Sequence, residues 1–337
     1  MTPLFLGLAG ERLSDRERAL FREAEPAGYI LFRRNVVDRA QLRALTDDLR
    51  SLAGRSDLPI LIDQEGGRVA RMQPPEWPRF PEAERFDRLY DIAPVTAIEA
   101  VRANARALAL MMAEVGITVD CLPLLDVRQP GAHDIIGDRA FGSEPLRVAA
   151  LGRAVIEGLR DGGVVGVVKH MPGHGRALVD SHLDLPVVDA TQEELEIDLA
   201  PFMALRHAPM AMAAHVVYTA WDSERCATLS HKVITEVIRN GIGFDGLLMS
   251  DDLCMHALKG DFGARTKGAL DAGCDIALHC SGDFEEMQAC VAAVDEISAA
   301  SRNRLDRAMA TIGQTKALAS LDELIATRDA LLAAAAA

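Results

Sequence analysis

At 337 residues the chain is long enough to bury one large core or two ordinary ones. Fifty acidic residues against thirty-six basic ones leave a net charge of -14, which opposes sequence-independent attraction to a phosphate backbone and sets nucleic acid aside as a partner. No run reaches the roughly 18 apolar residues of a membrane span, so no membrane association is expected.

Met1 is followed by "TPLFLGLAGERL", whose apolar run has no basic start and is flanked by charge, so it reads as a buried first strand (4–8) and not as a signal peptide. Ser14 is a cap for a helix over "DRERALFREA". Next come a strand at "YILFR" (29–33), a helix over "DRAQLRALTDDLRSLA", a strand at "PILI" (59–62) and a Pro-rich loop, "QPPEWPRFPEAERF" (73–86). The helix "VTAIEAVRANARALALMMAEV" leads to a strand at "ITVDC" (117–121), and "PLRVAALGRAVIEGLRDGG" leads to one at "VVGVVK" (164–169). The helix "TQEELEIDLAPFMALRH" precedes a strand at "MAMAAHVV" (210–217), and "SHKVITEVIRNGIG", with a stop expected at Gly241, precedes "GLLMS" (246–250). "DIALH" (275–279) is the last strand, and a helical tail over about 315–337 ends in an alanine run.

Short, continuous apolar runs alternating with helices suit parallel strands buried on both faces. Eight of them point to an α/β fold of the (β/α)8 TIM-barrel type, and no G-x-G-x-x-G follows the first strand to suggest a doubly wound sheet. Without a composition shift or repeat, residues 1–337 are expected to form a single domain and a monomer. The six cysteines show no C-x-x-C pair and no zinc-ribbon spacing, which fits free thiols in a reducing cytoplasm.

In such a barrel the working residues come from the carboxyl ends of the strands and the loops after them. Asp63 ends strand three, Lys169 and His170 end strand five, His215 lies in strand six, and Asp251 and Asp252 end strand seven. Each alone reads more readily as a capped turn or a satisfied core group; their coincidence at one end of the barrel shifts the balance. His170 and His174 have the i, i+4 spacing of a helical zinc pair, but Pro172, Gly173 and Gly175 make a helix improbable there. A metal-dependent amidohydrolase could still gather His170, His215 and Asp251 from separate strands. "GHGR" lacks the P-loop pattern.

A third possibility starts from carboxylates. Retaining glycoside hydrolysis needs a carboxylate nucleophile below the sugar and a proton donor beside the leaving oxygen. Asp251, at a strand end, suits the nucleophile. In "DSH", Asp180 and His182 at i and i+2 can face the same way, the aspartate fixing the imidazole tautomer that moves the proton.

The runs "LIDQEGGRVAR", "GDRAFG", "KHMPGHG", "DSH" and "GFDGLLMSDDLCMHAL", in this order along the chain, together resemble the family 3 glycoside hydrolases, and within them the single-domain bacterial β-N-acetylhexosaminidases of cytoplasmic peptidoglycan recycling. The resemblance extends from "GYILFRRN" to "DAGCDIAL". It implies a (β/α)8 barrel with Asp251 as nucleophile, His182 as general acid/base and Asp180 as its partner. By the same resemblance Asp63, Arg71, Arg139, Lys169 and His170 hold the hydroxyls and acetamido group of a terminal N-acetylglucosamine. The implied substrate is a muropeptide, and neither a cofactor nor a metal is expected. Met171 stands where the family usually has Phe, and His174, Arg176 and Cys254 receive no chemical role. A histidine acid/base would not repel an anionic acceptor, so phosphorolysis to a sugar 1-phosphate is an alternative to hydrolysis. A sugar-binding protein without turnover is a third class, which intact Asp251, Asp180 and His182 oppose.

Overall fold

Eight parallel strands close on themselves: β1 (Thr2–Gly7), β2 (Pro26–Leu31), β3 (Ile60–Ile62), β4 (Val119–Asp120), β5 (Val165–Met171), β6 (Met210–Ala213), β7 (Leu247–Asp252) and β8 (Ile276–His279). Each pairs with its neighbour in sequence, and β8 closes on β1 through Leu4↔Ala277 and Leu6↔His279. In this computed structural model the described residues are 1–179, 184–312 and 319–334.

Side-chain alternation accounts for the continuous apolar runs. Phe5, Ile30, Leu61, Val167, Met210, Met249 and Leu278 fill the barrel interior, while Leu4, Leu6, Leu31, Ile62 and Val168 face the surrounding helices. With both faces buried, no strand position between them is free to be polar until the strand ends. Polar residues therefore concentrate at the carboxyl rim.

The helices α1 (Asp15–Ala24), α2 (Arg39–Ala53), α3 (Ala83–Ile92), α4 (Pro94–Glu114), α5 (Pro145–Asp161), α6 (Gln192–Ala204), α7 (Phe262–Ala272), α8 (Phe284–Ala292), α9 (Ala299–Met309) and α10 (Leu321–Ala334) surround the strands. Ser14 caps α1 as expected, with Glu17 bonded back to the Ser14 backbone. Two expectations need correction. The segment Val233–Ile242 is a π-helix that carries Gly241 inside it; the stop is Gly243, which takes the left-handed conformation (φ 75°) and donates its N–H to the Ile238 carbonyl. The Pro-rich stretch becomes helical at Ala83, because its four prolines all precede that point and none follows within α3.

At the amino end of the barrel Leu305, Ala308 and Met309 of α9 join the interior cluster and close the bottom. Near the carboxyl terminus α10 docks on α4, burying Leu324 and Leu332, with Arg328 bonded to Asn104 Oδ1. Among the described residues no helix is long and apolar enough to cross a membrane.

Candidate active site

The rim of β3 supplies the first part of the site. Asp63 follows the strand, and Gln64 ties the next turn together: its Oε1 accepts from the backbone of Arg71 (2.8 Å) and Met72 (2.9 Å), and its own N–H donates to Asp120 (3.0 Å). The loop 64–72 is thereby folded back, and Arg71 Nη2 reaches Asp63 Oδ2 (3.3 Å). Gly66 makes the turn possible, since its φ is 101° and a Cβ there would meet the Pro81 carbonyl at 2.4 Å.

Lys169, on β5, is buried with only 2% exposure, and its Nζ lies 3.0 Å from Asp63 and 2.7 Å from Glu65. Glu65 is also clasped by Arg139 through two bonds of 2.8 Å. Burial alone would raise both carboxyl groups, but Lys169 with Arg71 at Asp63, and Arg139 with Lys169 at Glu65, outweigh it and hold them ionised. Burial likewise works against the Lys169 charge, and Asp63 and Glu65 keep it protonated.

His170 Nδ1 lies 2.8 Å from Asp126 Oδ2, so this nitrogen carries the proton and Nε2 is left toward the cavity. Asp126 Oδ1 accepts from the backbone of His170 (3.2 Å) and His174 (2.7 Å). Burial would raise the Asp126 carboxyl; His170 reverses this and brings it down to about 2. The His174 ring stands edge-on to His170 at 5.6 Å, and burial lowers it to about 4. As expected from Pro172, Gly173 and Gly175, His170 and His174 do not share a helix: β5 continues through Met171. Consecutive strand residues normally face opposite ways, yet Lys169 and His170 both line the cavity, and the β5–β6 register shifts between Val168 and Met171 at this point.

Asp251, half-buried at the end of β7, accepts the Asp252 N–H on Oδ1 (2.8 Å). Burial pushes its carboxyl up, but His215, His170 and Lys169 outweigh that and set it below the ordinary carboxylate range. His215 sits just past β6, which ends at Ala213, and not within the strand as expected. Its Nδ1 meets Thr228 Oγ1 and its Nε2 the Asp252 carbonyl, both at 2.9 Å. With both ring nitrogens committed, His215 positions the β7 end, and among the described residues His170, His215 and Asp251 do not converge their donor atoms as a metal site.

These groups border a cavity of about 260 Å³ lined by Asp63, Arg71, Arg139, Lys169, His170 and Asp251, so six of the eight expected site residues meet there. Ile30, Phe32, Met212 and Leu278 supply apolar surface beside them. Asp180 and His182, the expected proton-transfer pair, lie outside the described residues. The chain just before them is pinned: Tyr218 OH donates to the Gly173 carbonyl (2.7 Å), and Arg176 binds Asp198 and the Glu194 carbonyl. Sequence reasoning missed Glu65 and Asp126 as partners of the site. Glu65 stands inside the quoted "LIDQEGG", but its partners are far away in the chain; Asp126, after "CLPLL", carried no motif signal.

Residues 6–314 match the model of the glycosyl hydrolase family 3 N terminal domain. A beta-hexosaminidase of Alkalilimnicola ehrlichii is 41% identical over 83% of this chain and 80% of its own, and one of Thiobacillus denitrificans is 39% identical over 83% and 78%. The crystal structure of NagZ from Neisseria gonorrhoeae in complex with N-trifluoroacetyl-D-glucosamine superposes with a TM-score of 0.88 at 31% identity, covering 99% of this chain and 98% of that one.

Proposed function

The chain belongs to glycosyl hydrolase family 3, and on that premise we propose that it is a retaining exo-β-N-acetylglucosaminidase that removes terminal N-acetylglucosamine from 1,6-anhydro-muropeptides in cytoplasmic cell-wall recycling. The observation that carries this reading is an ionised, half-buried carboxylate, Asp251, facing a cavity edged by polar groups already fixed by one another. Asp63 accepts hydrogen bonds from sugar hydroxyls, while Lys169, Arg71 and Arg139 donate to hydroxyl and acetamido oxygens. Because Lys169 is locked between two carboxylates, little ordering cost remains when the sugar binds.

A carboxylate oxygen of Asp251 bonds to the anomeric carbon as the glycosidic bond breaks, and the leaving oxygen takes a proton from His182, supported by Asp180. Water then gives up a proton to His182 and displaces Asp251, which restores both groups and retains the anomeric configuration. His215, His170, the Asp252 N–H and Lys169 hold Asp251 ionised and so ready to attack at neutral pH. The free cysteines, five of six buried, fit a reducing compartment.

The test is a pair of aryl β-glycosides that differ only in hydroxyl or acetamido at the 2-position. The acetamido substrate is expected to have the higher kcat/KM by roughly 10²-fold or more, as for a site built around a polar group. Equal values, or preference for the hydroxyl, would remove the N-acetyl assignment.

A further inference from the structure

Behind the sugar cavity a second cluster of donor atoms is built from three elements. Cys254 comes from the turn after β7, His279 is the last residue of β8, and Glu286 stands in the first turn of α8. Their ligand atoms all lie within 4.8 Å of one another. Alternation along β8 explains the placement: Leu278 and Cys280 border the sugar cavity, so His279 between them turns outward against α8. The cluster and the cavity thus share a strand and not a lumen.

The spacing suits a tetrahedral cation. With metal bonds near 2.0 Å to nitrogen or oxygen and near 2.3 Å to sulfur, the edges of such a site are about 3.3–3.7 Å. His279 Nε2 is already 3.0 Å from Glu286 Oε2, and small side-chain rotations bring Cys254 into range. The Ser281 N–H donates to Cys254 Sγ (3.4 Å), which fixes the position of the sulfur beside the other two donors. In the metal-free protein His279 Nε2–H donates to Glu286 Oε2, which also accepts from the Ser281 hydroxyl; His279 Nδ1 has no hydrogen-bond partner among the described residues, so the proton can move there and leave Nε2 bare to ligate. Glu286, Asp252 and Asp283 also surround the imidazole with negative charge. The partly exposed Cys254 and Glu286 leave a path from solvent.

We propose that Cys254, His279 and Glu286 form a three-ligand site for a divalent cation of the zinc class, with water in the fourth position. Binding exchanges the thiol proton for the metal and releases that proton to solvent. The site ties the turn after β7 to β8, and Asp252 links it to the cavity. Asp252 Oδ1 accepts from the backbone of both Cys254 (2.9 Å) and Cys280 (3.2 Å), and its own N–H supports Asp251. The metal therefore acts as a clip behind the carboxylate rim, separate from the expectation that the sugar site itself needs none.

Cobalt(II) chloride titrated into the full chain is expected to give a thiolate-to-cobalt charge-transfer absorption that saturates at one equivalent and is displaced by zinc. Cys254→Ser should abolish the band and weaken zinc binding by roughly 10²-fold in calorimetry, and Glu286→Gln should weaken it by about 10-fold while keeping the band. Asp251→Asn should leave the band and the stoichiometry intact. Absence of the band in the parent protein, its persistence in Cys254→Ser, or its loss in Asp251→Asn would overturn the assignment.

Discussion

Buried charges gather at both ends of the barrel, and the two clusters are finished differently. At the amino end, Asp275 is only 3% exposed and accepts from Arg239 (2.7 Å), Arg304 (3.0 Å), Ser301 (2.8 Å) and the Leu248 N–H (2.9 Å). Both of its oxygens are used twice, and the result locks the starts of β7 and β8 to α9. At the carboxyl end, Asp63, Glu65, Lys169, Arg139 and Arg71 also neutralise one another, but they border a cavity, and Arg71 Nε and His174 Nδ1 have no hydrogen-bond partner among the described residues. A saturated cluster can only hold the fold together, whereas one that faces a void with donors in reserve can hold a ligand.

The sharpest way to separate the two ends is to remove one carboxylate from each. Asp251→Asn is expected to lower kcat by roughly 10⁴-fold or more while unfolding within a few degrees of the parent, since the amide keeps the volume. Asp275→Ala is expected to do the reverse. It leaves Arg239 and Arg304 without their buried partner and should cost about 3–5 kcal/mol in urea unfolding, with kcat per folded molecule little changed. If Asp275→Ala instead halts turnover without loss of stability, the division between the ends fails.

A smaller effect should appear on acidification. His174 has an ordinary value of 6.5 and about 4 in the folded chain, so protonation favours the unfolded state. Its contribution is complete above about pH 6.5 and is lost as pH falls toward 4, by roughly 3 kcal/mol. Urea midpoints measured across that window should fall less steeply in His174→Asn than in the parent; identical slopes would show that His174 does not stay neutral in the fold. Smallest is Arg71→Ala, which removes one half-buried donor and a 3.3 Å contact to Asp63. It should raise KM by about 10-fold with kcat nearly constant, the pattern of binding shared by ground and transition states.

The same contrast explains what the sequence could reveal. The eight strands were legible because both strand faces are buried and the apolar runs are unbroken, and Asp63, Lys169, His170 and Asp251 were legible because each interrupts such a run at its end. Glu65 and Asp126 were not, because they hold other side chains in place, and those side chains come from strands or loops brought near only by barrel closure. The Cys254, His279 and Glu286 cluster was hidden for the same reason: three elements meet there without a sequence spacing that links them. Helix ends were misplaced where a neighbouring residue competed, as Gly241 did with Gly243; only the conformation of the second distinguishes them.

The central claim is that Asp251 forms the covalent intermediate. It is tested most directly by incubating the protein with a 5-fluoro N-acetylglucosaminyl fluoride and mapping the labelled peptide by mass spectrometry. One glycosyl group per chain on Asp251, formed in step with loss of activity and absent from Asp251→Asn, is the expected result. Stoichiometric labelling of another residue, or normal turnover by Asp251→Asn, would contradict it.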